Sequence, residues 1–448
     1  MGRALLIGMN GGDIILYIMD ALAVELNNIL EGTAAWRLLS GFGKRIYFPR
    51  GIIAQSGEAK KAAAKANGTI GMAFSNGKPM LLPGFRRYAP DFEPEETVAY
   101  APTAGNERLR ELWKSMLLQK NPSLDADRIS LPVVTPGITA GISYAAELFL
   151  DAGQTILSAE PAWDNYRLIF EERCGGIMHG VKFFDSEGRL NIPGIRGAIL
   201  EEAKSGSVRI IFNFPNNPSG YSPTNTEVDA LVDSVNEAAS CGADVLAICD
   251  DAYFGFFYEN DVCKESIFSR LAGLHERVLA VKTDGPTKED YSWGFRLAMV
   301  TLGSKGLRRE HFDALVTKLT GSIRSSVSCA NTFAQSLFLR VCGDESTDAQ
   351  KSAFFNILKE RYAAVKQFTE AHKSHPRLTP LPFNSGYFMC LRCDGLDADK
   401  LRRRLLEKHG IGTIAFGSEY LRVAFSSIEK ELLPEVFAAI YDTALESF

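Results

Sequence analysis

Seven short apolar runs, separated by stretches with helical spacing, mark the chain between about Asp125 and Gly303: LPVVT, QTILSA, HGVKFF, VRIIFNF, DVLAICD, RVLAVKT and LAMVTLG. Runs that are apolar on both faces and alternate with helical stretches predict an α/β unit, a mainly parallel sheet sandwiched by helices. Before it, Leu22, Val24, Leu26 and Leu30 recur at helical spacing, predicting an amphipathic helix from Ala21 to Leu39. After Gly303 the spacing predicts helices over His311 to Leu319, Ser326 to Val341 and Ala353 to Phe368, then short strands over Tyr387 to Leu391 and Tyr420 to Phe425. These elements predict a second, smaller α+β domain, joined by the amino-terminal segment. The apolar start of the chain is broken by Asn10-Gly11-Gly12-Asp13, has no clean small-residue cleavage site and is too short to span a membrane. The expectation for residues 1–19 is a disordered or extraneous leader.

A length of 448 residues exceeds what one core organises, which fits two or three domains. The division expected is an amino-terminal segment over 20–84, a large domain over 85–330 and a small domain over 331–448. Hydrophobic residues make up 46% and charged residues 23%, an ordinary globular balance that argues against disorder, collagen or coiled coil. The net charge of −5 comes from mixed acids and bases without a basic stripe, which argues against nucleic acid as a partner. Eight cysteines spread thinly read as thiols in a reducing compartment, so the expected location is cytoplasmic. Cys390 and Cys393 have CxxC spacing, but inside GYFMCLRC they read as strand filler. None of the six histidines sits in an HExxH or triad context, and no GxGxxG or GxxxxGK[ST] run occurs, so metal, triad and nucleotide chemistry are disfavoured.

In parallel sheets ligands sit beyond the carboxyl ends of the strands, so the polar residues just after the runs carry the candidate chemistry. DVLAICD ends at Asp250, followed by Asp251-Ala252-Tyr253, which sets a carboxylate and a phenol at that edge. VLAVKT leads to Lys288, with Gly294 and then Arg296 further along the same loop. VRIIFNF runs into Pro215-Asn216-Asn217-Pro218-Ser219-Gly220, a turn-forming run that offers an amide at the same edge.

Asn217-Pro-Ser-Gly220, Asp250-Asp-Ala-Tyr253 and Lys288 with Arg296 together resemble the motifs of the class I/II aminotransferase family, fold-type I pyridoxal-phosphate (PLP) enzymes. The resemblance extends from about Ile70 to Phe425 and implies the fold-type I PLP-transferase architecture, with a seven-stranded sheet. It implies that Lys288 forms the Schiff base, that Asp250 meets the pyridine nitrogen, and that Asn217 bonds the phenolic oxygen, with Tyr253 among the catalytic and cofactor-binding groups. Gly137, Ile138, Thr139 and Arg296 would hold the phosphate, and Trp163 would stack on the ring. Tyr100, in YAPTAG, resembles the tyrosine that reaches the cofactor of a neighbouring subunit, which implies a homodimer. Arg422, in LRVAFS, resembles the arginine that grips the substrate α-carboxylate. Gly77, in GMAFSNGKP, resembles the glycine stretch lining the substrate pocket, with Lys78, Arg86 or Arg87 as partners for an acidic side chain.

The chemistry implied is transfer of an amino group between an amino acid and a 2-oxo acid by ping-pong kinetics. A buried acid would keep the ring nitrogen protonated, and one lysine would serve as both nucleophile and proton carrier. One departure stands out: the family often carries serine three residues before the lysine, where this chain has Gly285. Two alternatives are elimination at Cβ or Cγ on the same scaffold, as in carbon–sulfur lyases and aminocyclopropane-carboxylate synthases, and a regulator without turnover. The regulator reading lacks a DNA-binding module, since the segment before Ile70 is short and not basic.

Overall fold

The computed structural model describes residues 3–10, 13–31, 33, 39–47 and 52–446. The seven apolar runs form seven strands: β1 (Val133–Thr135), β2 (Thr155–Glu160), β3 (Ile177–Lys182), β4 (Ser207–Asn213), β5 (Asp244–Asp250), β6 (Val278–Asp284) and β7 (Ala298–Gly303). They lie side by side in the order β1-β7-β6-β5-β4-β2-β3. β7 runs antiparallel to both its neighbours and the remaining pairs are parallel, so the sheet is mainly parallel. Along β5, Leu246 and Ile248 enter one core while Val245, Ala247 and Cys249 enter the other. A strand that buries both faces has no polar alternation, which is why these runs read as continuous apolar stretches.

Helices α1 (Glu107–Lys120), α2 (Ile138–Phe149), α3 (Arg309–Ser326), α4 (Thr332–Cys342) and α5 (Thr347–Ala371) frame the site. The helix expected from Ser326 to Val341 begins later, at Thr332, because α3 runs on to Ser326. The chain turns at Ser328, with φ of 68°, and restarts where Asn331 accepts the Ala334 amide at 2.8 Å. The opening helix spans Ala21–Leu30, and most of its expected extension to Leu39 lies outside the described residues.

A second sheet holds β8 (Leu378–Pro380), β9 (Phe388–Cys393), β10 (Ile414–Phe416) and β11 (Tyr420–Ala424), all antiparallel in the order β8-β9-β11-β10. Cys390 and Cys393 are buried in β9, and all eight cysteines are free thiols. In an extended strand, residues three apart face opposite sides, so this pair does not converge on one site. Ala66–Asn67 pairs with Ile411–Gly412, which fastens the amino-terminal segment to this second unit. At the start of the chain, Arg3–Asn10 and Asp13–Asp20 pair as an antiparallel hairpin, where a disordered or extraneous leader was expected. Two apolar runs separated by two residues are a hairpin signal that the broken run at Gly11-Gly12 conceals.

Candidate active site

Eight of the residues singled out from sequence line one cleft of about 510 Å³: Ile138, Thr139, Trp163, Asn217, Asp250, Tyr253, Lys288 and Arg296. The cleft opens at the carboxyl ends of β4, β5 and β6, where strand ends deliver polar side chains. Asp250, the last residue of β5, is buried on this face. Its Oδ2 accepts the Tyr166 hydroxyl at 2.5 Å and its Oδ1 accepts the Ala252 amide at 3.1 Å. Burial raises the Asp250 pKa, and the Tyr166 hydrogen bond and the nearby Lys288 charge oppose that rise. Asn213 donates to the Asp250 carbonyl at 3.0 Å and accepts the Asn217 amide at 2.8 Å, so the amide loop and the acid share one scaffold.

Lys288 follows β6 on a one-turn helix, with its ammonium 4.8 Å from the Tyr253 ring centre. Burial pushes its pKa down to about 8; Asp250 opposes that shift and Arg296 adds to it. The Tyr387 hydroxyl donates to the Lys288 carbonyl at 3.1 Å, tying the lysine loop to the second sheet.

Gly137 precedes α2 with φ of 100°, and a Cβ there would stand 2.3 Å from the Arg296 guanidinium. Only glycine lets Arg296 lie against the amino terminus of α2, where free amides and the helix dipole favour an anion. Among the described residues no carboxylate lies within salt-bridge distance of Arg296. At Gly285 a Cβ would stand 2.7 Å from the Ala298 Cα, so the strand beside it excludes a serine. Thr287 lines the cleft, but its hydroxyl donates to the Leu297 carbonyl at 3.1 Å.

Arg422, on β11, is buried beside the cleft. It donates to Asn217 Oδ1 at 2.9 Å and to the Thr69 carbonyl at 3.1 Å, and stacks 4.2 Å from the Phe388 ring. Its Nε has no hydrogen-bond partner, and no carboxylate among the described residues pairs with it. A buried guanidinium left in that condition is built for an anionic ligand. The donor set therefore fits the cofactor: an amine for an aldehyde, an acid for a ring nitrogen, a phenol and an amide for a phenolic oxygen, and a cation on a helix terminus for a phosphate.

Two predicted residues lie elsewhere. Tyr100 is 92% exposed beside a surface groove shared with Arg108 and Arg340. Gly77 is exposed in a tight turn between Phe74–Ser75 and Lys78–Pro79, with φ of 53° at Asn76 and 69° at Gly77. Asn-Gly with both φ positive is the two-residue hairpin turn, a sequence signal that accounts for this glycine without a ligand. Gly71, in the same stretch, packs near Tyr253, where a Cβ would stand 3.5 Å from the hydroxyl. Arg87 pairs with Asp344 at 3.0 Å, while Lys78 and Arg86 are exposed. Tyr166 was missed because only the fold brings it to Asp250.

The aspartate aminotransferase of Sulfurisphaera tokodaii is 24% identical over 353 residues, covering 75% of this chain and 80% of that protein. The arginine–pyruvate transaminase of Pseudomonas aeruginosa is 22% identical over 322 residues, covering 70% of this chain and 73% of that one. Among solved structures, an aminotransferase from Anaerococcus prevotii aligns with a TM-score of 0.83 at 23% identity, over 91% of this chain and all of that one. The aspartate aminotransferase from Thermus thermophilus with maleate aligns at 0.73 and 19% identity, over 90% and 99% of the two chains. The family model for aminotransferase class I and II matches residues 72–440, a span that includes every cleft-lining residue and Arg422. With that match running through a site of this chemistry, the chain belongs to the class I and II aminotransferases.

Proposed function

We propose that this protein binds PLP at Lys288 and transfers the amino group of an amino acid to a 2-oxo acid in two half-reactions. The observation that carries this reading is a cleft that holds an amine of lowered proton affinity, a buried acid and Arg296, with Arg422 beside it, neither guanidinium paired with a carboxylate among the described residues. When bound, the cofactor supplies an aldehyde and an electron-withdrawing ring that stabilises negative charge at the substrate Cα.

The protein's own groups do the rest. Arg296, Thr139 and the amides at the start of α2, beside Gly137 and Ile138, would hold the phosphate. Asp250 would accept the ring N–H, Asn217 and Tyr253 would bond the phenolic oxygen, and Trp163 would cover a ring face. Arg422 binds the substrate α-carboxylate through charge-assisted hydrogen bonds worth about 1.5–3 kcal/mol each. That grip orients the Cα–H bond toward Lys288. The Lys288 amine, largely neutral above pH 8, would carry the proton between the substrate Cα and the carbon that supplies the cofactor's aldehyde, working from one face.

The same reading includes a homodimer in which Tyr100 reaches the partner's site; the exposure of Val98 at 83% and Tyr100 at 92% supports a covered face there. It includes a small unit formed by residues 20–84 with 331–448 around a large unit over 85–330, supported by the pairing of Ala66–Asn67 with Ile411–Gly412. It includes a cytoplasmic location, supported by eight free thiols; among the described residues no helix is long and apolar enough to cross a membrane.

The test is a half-reaction screen on PLP-loaded protein. Individual amino acids should bleach the yellow absorbance and leave pyridoxamine phosphate. Borohydride trapping should mark Lys288 alone; a colourless protein or a mark on another lysine rejects the assignment.

A further inference from the structure

Directly behind the cleft, on the opposite face of the sheet, lies a group of charges that the reaction does not touch. Side chains alternate along β5 and β6, so Asp250 and its neighbour Thr283 face the cleft while Lys282, Asp284 and Asp251 face away from it. Lys282 is fully buried. Its ammonium bonds Asp251, stands 3.1 Å from Asp284 and lies 5.0 Å from the Phe254 ring centre. Asp284 also accepts the Trp113 indole N–H of α1 at 3.0 Å.

Each partner of Lys282 sits next to a working residue. Asp251 directly follows Asp250, and Phe254 directly follows Tyr253. Asp284 opens the loop that carries Thr287 and Lys288. The far side of Lys288 is fastened in the same way, with Glu289 paired to Lys120 of α1 at 2.6 Å and Asp290 to Lys351 of α5 at 2.7 Å. A single ammonium therefore ties together the two strand ends that must present an acid and an amine to opposite ends of one ring.

We propose that Lys282 is a positioning residue that fixes Asp250 relative to Lys288 by clamping Asp251 and Asp284 at the ends of β5 and β6. This inference rests on the cofactor assignment above. An apolar trio of similar volume would hold the fold at least as well as three buried charges. What an apolar trio would not do is specify one relative position for two loops, which directional bonds to a point charge do.

The experiment compares wild-type full-length protein with a charge-neutral variant, Asp251→Asn with Lys282→Met and Asp284→Asn, none of which lines the cleft. Three readouts are taken: equilibrium dissociation of pyridoxal phosphate, visible circular dichroism of the bound chromophore, and the half-reaction split into kcat and KM. With the far-ultraviolet spectrum preserved, the inference expects cofactor dissociation to rise about 10-fold, in line with the loss of a supporting partner behind a site. It also expects an altered visible signal and a lower kcat at unchanged KM, since Arg422 stands on another strand. A folded variant with wild-type cofactor affinity and visible signal overturns the inference. If the neutral variant does not fold, Trp113→Phe decides, because it frees Asp284 of its second donor and keeps a ring in the core. A shift in the same direction supports the clamp, and identity with wild type rejects it. Wild-type protein that takes up no pyridoxal phosphate rejects instead the cofactor assignment on which this stands.

Discussion

The two faces of the sheet where β5 and β6 end carry charges under opposite conditions. On the cleft face Arg296 and Arg422 have no carboxylate partner among the described residues, and Arg422 keeps an unbonded Nε. On the reverse face Lys282, Lys120 and Lys351 are each held by at least one acid within 3.1 Å. The backbone is shared, so the difference lies in what completes each arrangement. The reverse face is complete within the chain, whereas on the cleft face the guanidinium groups stand open to an anion from outside. A buried cation without a matching acid, as at Arg422, marks a binding site more sharply than charge alone does.

The sharpest way to break this comparison is at the reacting amine. Lys288→Ala should slow the half-reaction with an amino acid by at least about 10⁴-fold, the scale of losing a positioned acid–base group, followed as single-turnover loss of yellow colour. Next comes the reverse face. Lys282→Met leaves two buried acids facing each other and should cost about 3–5 kcal/mol in urea unfolding of the cofactor-free protein. Arg422→Met should cost less stability. It strands no acid, only the neutral oxygens of Asn217 and Thr69, so unfolding loses about 1–3 kcal/mol, while KM for amino acids rises about 100-fold through lost charge-assisted bonds. Equal destabilisation by the two methionine variants would erase the distinction between the faces.

Smaller effects refine it. Below pH 8 Lys288 is increasingly protonated and unreactive, so the rate at which cofactor-free protein takes up pyridoxal phosphate should rise about tenfold per pH unit and level off above about 8. An unshifted lysine would keep rising toward 10.5. The mildest change is Tyr166→Phe, which removes a donor that favours the ionised Asp250. Asp250 then takes up a proton at higher pH, and the acid limb of the kcat/KM profile should move toward neutrality by about one unit, the scale of one hydrogen bond to a charge.

The large sheet was readable because each of its strands is buried on both faces and is therefore written as an apolar run bounded by polar residues. The motif residues Asn217, Asp250 and Lys288 were readable because each ends such a run or follows it closely, where parallel sheets place ligands, and Arg296 because it shares the loop of Lys288. What escaped was whatever depends on pairing across the fold. Tyr166 lies 84 positions from Asp250 and has no local feature to mark it. Gly77 drew attention as a glycine near a pocket-lining stretch, although Asn76-Gly77 already described a hairpin turn. Lys282 was visible in VLAVKT as a lone charge inside a buried run, and such a charge demands acids nearby, yet the run was read only for its apolar residues. The break between α3 and α4 was placed too early, before Ser326, since the positive φ at Ser328 leaves no mark on the apolar spacing.

The tight fit at Gly285 limits any engineer who wishes to strengthen cofactor retention. A serine there would drive a side chain into the main chain at Ala298, and relieving that overlap means moving β7, which is hydrogen-bonded on both sides. Improvement must come from the other wall, around Thr139.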